Sequence, residues 1–350
     1  MAANLIPNAL NHRALWIDKL RVLSCFAVVL IHVSGEAYGR FALGQIGEWW
    51  LANFLNGSSR ASVPLFVMLS GALMKECDCN PIYFYRKKAG RFLPVFGAWT
   101  IIYAVFVWVV MGLSVSEILL RFLSSGFVYL HLWYLSMFFF MLAFAPYLAR
   151  LKYYYRGGES DRWILLSTCI AVISFDWLLG FISKFFDVPF NFWPITFVGF
   201  IPYFLLGLIL VDLKSVCCGF KNGSYLAVAL IFSWTANFLS CRYLGIVSDA
   251  MPLSCESPFV MAVAITVFLL VRQRGGMCVP NVWLRHLADA SFGIYLLHPI
   301  FIWFFARILR GNDLDILSGW WMVVTATLVY VVSFVFMFFL RQFALGRRIS

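Results

Sequence analysis

Arg21 and His32 lie eleven positions apart in one apolar stretch, DKLRVLSCFAVVLIHVSGE. In an α-helix that spacing brings both side chains to nearly the same face, about 16 Å apart along the axis. Arginine presents a permanently charged, planar fork that matches phosphate oxygens. Histidine titrates near neutrality and takes the proton of an attacking hydroxyl. A ligand that is anionic at one end and reactive at the other would span the pair. Coenzyme A has that form, with a phosphate-bearing head, a thin pantetheine arm and a terminal thioester. The plainer reading makes Arg21 a charge that anchors a helix end and His32 a polar residue bonded to a neighbouring helix. For His32 the depth of burial favours chemistry, because an ionisable residue inside an apolar span is costly and marks a functional site.

The elements that must hold such a pair follow from composition. Hydrophobic residues make up 63% of the 350 positions and charged residues 12%, whereas soluble domains carry about 25% charged residues. The chain therefore reads as an all-α, polytopic membrane helix bundle. Its net charge of +11 does not indicate a nucleic-acid partner, because the basic residues sit in short loops between apolar spans. About ten segments approach the ~20 residues that a bilayer requires. They fall near 16–36, 47–74, 93–112, 131–149, 163–182, 195–213, 224–241, 258–271, 288–309 and 319–340. The polar start MAANLIPNALNHR carries no cleavage-site pattern, so the first helix is expected to act as its own insertion signal.

Basic residues set the orientation. With the N-terminus in the cytoplasm, only Arg40, Arg60, Arg121, Lys184, Arg242, Arg307 and Arg310 of the 27 lysines and arginines fall on the far side. That asymmetry is the positive-inside pattern, and an even number of spans returns the C-terminus to the cytoplasm. If the first helix enters the hydrocarbon near Leu20, His32 lies about 18 Å deep, past the midplane of a core about 30 Å thick.

Other positions invite a role. The apolar run after Arg60 is too short to span alone, so the helix is expected to continue back through EWWLANFLNGSS. This places Arg60 inside the bundle near the depth of His32, among Asn56, Ser58, Ser59 and Ser62. Ser70 and Gly71 read as a close-packing pair. His298 precedes Pro299, whose ring removes a backbone donor and frees the Tyr295 carbonyl; His298 then either lines a cavity or packs. His131 and Trp133, in HLWYL, are expected near the outer surface, either to meet a sugar or as an interfacial aromatic belt. Asp18 is placed to orient Arg21, and Glu36, one turn beyond His32, to hold its imidazole. The cysteines match no zinc spacing and no metal is predicted, although Cys241 and Cys255 flank an outer loop in which a disulfide could form.

Five segments in order, WIDKLRVLSCFAVVLIH, SSRASVPLFVMLSGALM, YRKKAGRFLP, HLWYL and SFGIYLLHPIF, resemble the acyltransferase-3 family of integral membrane acyltransferases. In that family a basic residue, ten intervening residues and a histidine mark the first helix, here Arg21 and His32. The nearest likeness is to the branch that O-acetylates surface glycans such as enterobacterial common antigen. The resemblance implies His32 as catalytic residue, with Arg21, Arg86 and Arg91 as candidates for the phosphates of acetyl-CoA. The reading of the other segments adds Arg60, His131, Trp133 and His298 as candidates for an acceptor side, against plainer roles in helix packing or an aromatic belt.

The expectation is therefore an acyl-CoA-dependent O-acetyltransferase of the bacterial inner membrane. Acetyl-CoA is its donor and a surface or undecaprenyl-linked glycan its acceptor, within a setting of membrane lipids. Residues 1–15 would form a cytoplasmic segment, 16–341 the transmembrane domain and 342–350 a cytoplasmic tail. The alternative, a transporter of an anionic or sugar-linked substrate, should show repeated halves with matching interrupted helices. No second copy of RVLSCFAVVLIH or SVPLFVMLSG occurs in the chain.

Overall fold

The computed structural model describes residues 15–154, 159–185, 193–212, 223–244, 253–274, 281–310, 318–343 and 346. These form helices and turns, with no strand among the described residues. A helix occupies each of the ten expected segments. They are α1 (Leu15–Gly35), α2 and α3 (Ile46–Ser59 and Ser62–Ala72), α4 (Gly90–Met111), α6 (Trp133–Tyr154), α7 (Glu159–Phe185), α8 (Ile201–Leu210), α9 (Ser224–Leu244), α10 (Pro258–Arg274), α11 (Val282–Arg310) and α12 (Trp321–Leu340). Six stretches of described helix are long and apolar enough to cross a membrane. The first helix is not among them, since Asp18, Lys19 and Arg21 occupy its opening turns.

Two features depart from the sequence reading. The expected continuous helix over 47–74 is broken at Arg60 and Ala61. The cause is Pro64, which lacks the N–H that would bond the Arg60 carbonyl and whose ring crowds that carbonyl. An extra helix, α5 (Val115–Ser125), lies between two expected spans. Ser114 and Glu117 close a reciprocal capping box at its start, and Gly126 ends it in the left-handed conformation with φ 78°. None of its residues is buried.

The first helix is the hub of the bundle, packed against α2, α3, α10, α11 and α12. Beside it, α3 and α8 approach at backbone distance. A Cβ on Gly71 would collide with the Phe204 carbonyl, and one on Gly207 with the Met68 carbonyl. Small residues at a membrane-helix crossing allow this closeness. Across the bundle, Tyr103 on α4 donates to the Leu296 carbonyl of α11 at 2.8 Å.

Candidate functional site

Two cavities lie in succession along α1. The one near its start, about 330 Å³, is lined by Arg21, Ser70, Phe92, Phe138 and Asp289 among others. The larger one, about 800 Å³, is lined by His32, Tyr38, Arg60, His131, Trp133 and Arg307 among others. Val28, Val63 and Tyr295 belong to both walls, and all three are buried. They form a waist. Helical periodicity accounts for the arrangement, because α1 carries Arg21, Val28 and His32 down one face, and α11 runs alongside with Asp289, Tyr295 and Pro299. Cavities of this size accept small ligands.

Around His32 the structure gathers aromatic and imidazole rings. The His298 ring lies 5.1 Å from the His32 ring and 5.7 Å from that of His131, measured between centroids. His298 is fully buried, and its ring stands beside His32 rather than in the cavity wall. On α11, Pro299 leaves the Tyr295 carbonyl without its helical donor, and Nδ1 of His298 lies 2.6 Å from that oxygen. His131 lines the larger cavity, is 1% exposed, and its ring meets Tyr103 edge-on at 4.4 Å. Its backbone carbonyl accepts a short hydrogen bond from the Tyr295 hydroxyl, so the tyrosine at the waist is fixed by the segment that carries His131. Trp133 stays in the wall, packed on Phe200.

Arg60 reaches the larger cavity from the break between α2 and α3, and Asn56 accepts from its Nε. Arg86 and Arg91 are exposed and line neither cavity. Arg86 sits in a π-helical turn, Tyr85–Ala89, and Arg91 directly precedes Phe92 of the smaller cavity. Ser70 lines that cavity, while its neighbour Gly71 supplies the close packing. The side chain of Glu36 lies outside the described residues. Cys241 and Cys255 are free thiols, not a disulfide. Among the described residues no cluster of three histidine, cysteine or carboxylate side chains is arranged to hold a metal ion.

A family model described as an acyltransferase domain, acyltransferase-3, matches residues 14–340. The chain belongs to the acyltransferase-3 family. Neither the curated proteins nor the solved structures include a match to it. As an acyltransferase-3 protein with several apolar helices it is a multi-pass membrane acyltransferase. In this acyltransferase-3 chain the arginine and histidine of the first helix open into two different cavities.

Sequence reasoning missed Asp289, the waist formed by Val28, Val63 and the Tyr295 ring, and the bond from Arg60 to Asn56, which it had placed only among the polar neighbours of Arg60. The asparagine had a weak signal in its polar surroundings. Val28 and Val63 had none, because a valine that closes a passage reads like any valine in a span.

Proposed function

We propose that this acyltransferase moves acetyl from cytoplasmic acetyl-CoA to a hydroxyl of a lipid-linked or cell-surface glycan on the periplasmic side of a bacterial inner membrane. It would do so with ten spans and both ends in the cytoplasm. The observation that carries this reading is the meeting of two cavities at Val28, Val63 and Tyr295, with Arg21 on one side and His32 on the other. Arg21 takes a phosphate of the donor, with Arg86 and Arg91 at the cytoplasmic mouth adding positive charge. The pantetheine arm passes the waist and presents the thioester to His32. Arg60, His131 and Trp133 then face the acceptor.

In direct transfer, the acceptor oxygen attacks the thioester carbonyl carbon while His32 takes the hydroxyl proton. The carbon–sulfur bond breaks, and the proton passes to the departing sulfur, leaving an ester and free coenzyme A. Membership in an acyltransferase family weighs against the transporter reading. The test supplies radiolabelled acetyl-CoA to the cytoplasmic face of membrane vesicles with and without the protein. Protein-dependent label on extracted glycan is expected, with reporter tags at both termini on the cytoplasmic side. Label that stays in coenzyme A whether or not the protein is present would overturn the donor assignment.

A further inference from the structure

His298 has two ring nitrogens in different situations, and the difference fixes its chemistry. Nδ1 lies 2.6 Å from the Tyr295 carbonyl oxygen. A carbonyl only accepts, so in the neutral ring Nδ1 carries the proton. The acceptor is present because Pro299, four residues after Tyr295, has no N–H to offer it. Nε2 is then the lone-pair nitrogen. It is buried and has no hydrogen-bond partner, a condition that calls for an explanation in a buried polar group.

Two imidazoles stand beside His298: His131 at 5.7 Å between centroids with the rings at 80°, and His32, nearer, at 5.1 Å with the planes inclined by 41°. Two imidazoles joined by an in-line N–H···N bond of about 2.9 Å have centroids about 5 Å apart, since each nitrogen lies about 1.1 Å from its own centroid. The centroid spacing matches that of such a bond, although the rings as they stand do not close it. The ring torsion of histidine is broad, so a rotation of His32 completes it. Among the described residues no carboxylate pairs with His32, and the His298 ring is the group that stands beside it.

We propose that His298 is the positioning residue of His32. Its Nε2 accepts the His32 ring N–H, so that the other His32 nitrogen turns its lone pair to the larger cavity and the acceptor hydroxyl. When His32 takes the hydroxyl proton, its bond to His298 becomes charge-assisted and strengthens. The proton stays on His32 until the leaving sulfur takes it, and His298 remains neutral throughout. This assignment rests on the reading of His32 as general base.

Two amide replacements separate the two nitrogens. His298→Asn places an amide at the level of Nδ1, where it still donates to Tyr295, and removes the acceptor facing His32. His298→Gln extends the amide to the level of Nε2 and restores an acceptor there. With purified protein, acetyl-CoA as donor and glycan extracted from host membranes as acceptor, the asparagine variant should lose about 10–100-fold in kcat. That loss is a part of the ~10²–10⁴-fold typical of general base catalysis. The glutamine variant should keep most of the rate, and the KM for acetyl-CoA should be unchanged in both. Equal loss in the two variants, or a loss confined to KM, would overturn the proposal.

Nitrogen NMR of histidine-labelled wild-type protein in micelles gives a reading that needs no variant. His298 protonated at Nδ1 supports the assignment, and protonation at Nε2 refutes it. His32→Ala is assayed in parallel. Wild-type transfer in that variant would remove the general-base reading itself, whereas inactive His32→Ala beside fully active His298→Asn would remove only the role of His298.

Discussion

Asn56 ties Arg60 to the helix that carries His32. Its Oδ1 accepts from Arg60 Nε at 2.5 Å, while its Nδ2 donates to the Ile31 carbonyl at 2.9 Å and to Ser34 Oγ at 3.1 Å. One amide thereby sets the spacing between the guanidinium and the imidazole in the larger cavity. Removing it leaves buried groups without partners, at about 1–3 kcal/mol each. Asn56→Ala should therefore lower thermal stability and raise the acceptor KM with little effect on donor affinity. Asn56→Asp keeps the acceptor for Arg60 and should recover part of the acceptor affinity. Calorimetry of the donor beside transfer kinetics checks both.

The two residues of the first helix should fail in different ways. Arg21→Ala is expected to weaken acetyl-CoA binding by about 1.5–3 kcal/mol, the worth of a hydrogen bond to a charged group. Arg21→Lys should recover part of that, because charge is kept and the planar fork lost. His32→Ala should leave donor affinity within a few-fold and remove ~10²–10⁴ in rate. Isothermal titration and single-turnover transfer separate the two effects.

The waist offers a steric test. Val63 lines both cavities and is 8% exposed, so Val63→Trp should block the passage of the pantetheine arm. Binding of coenzyme A itself should persist, since the proposed phosphate contact lies on the Arg21 side, while acetyl transfer falls to background. Undiminished transfer in a folded Val63→Trp protein would mean that the arm takes another route.

Gly207→Ala tests the α3–α8 crossing. In an open helix this change stabilises by roughly 0.5–1 kcal/mol, but here the new methyl would meet the Met68 carbonyl. Backbone cannot yield as a side chain does, so the variant should melt well below wild type. Gly90→Ala, where nothing stands within 4 Å, serves as control and should not destabilise.

What the sequence made legible follows from the range over which each signal acts. Arg21 and His32 share one helix, and helical periodicity alone brings them to one face. The positions of the helices were equally open to reading, since apolar length is a local property. The break at Arg60 was also written locally, in Pro64, but the shortness of the apolar run drew attention to depth and away from continuity. The start of α5 was marked by Ser114 and Glu117, a capping box that span-finding passes over. The approach of His298 to His32 depends on how α11 packs against α1, and no spacing along the chain records it. Gly71 was legible as a close-packing residue but its partner was not, since Gly207 reads as an ordinary small residue until α3 is placed beside it. Arg86 and Arg91 show the converse: the basic cluster is plain in the sequence, yet both side chains stand clear of the cavity walls.

The waist between the cavities also bears on the energetics of the cell. Two cavities in succession along a membrane helix invite leakage of ions and protons, and a membrane that leaks cannot hold a potential. Val28 and Val63 offer no hydrogen bonds to a file of water, and the Tyr295 hydroxyl is already committed to the His131 carbonyl. Moving a bare charge past such a plug is costly, whereas an uncharged, slender arm can displace the side chains and fill the gap it opens. In the proposed transfer, such a plug would let an activated acyl group pass while the acyltransferase remained an electrical insulator.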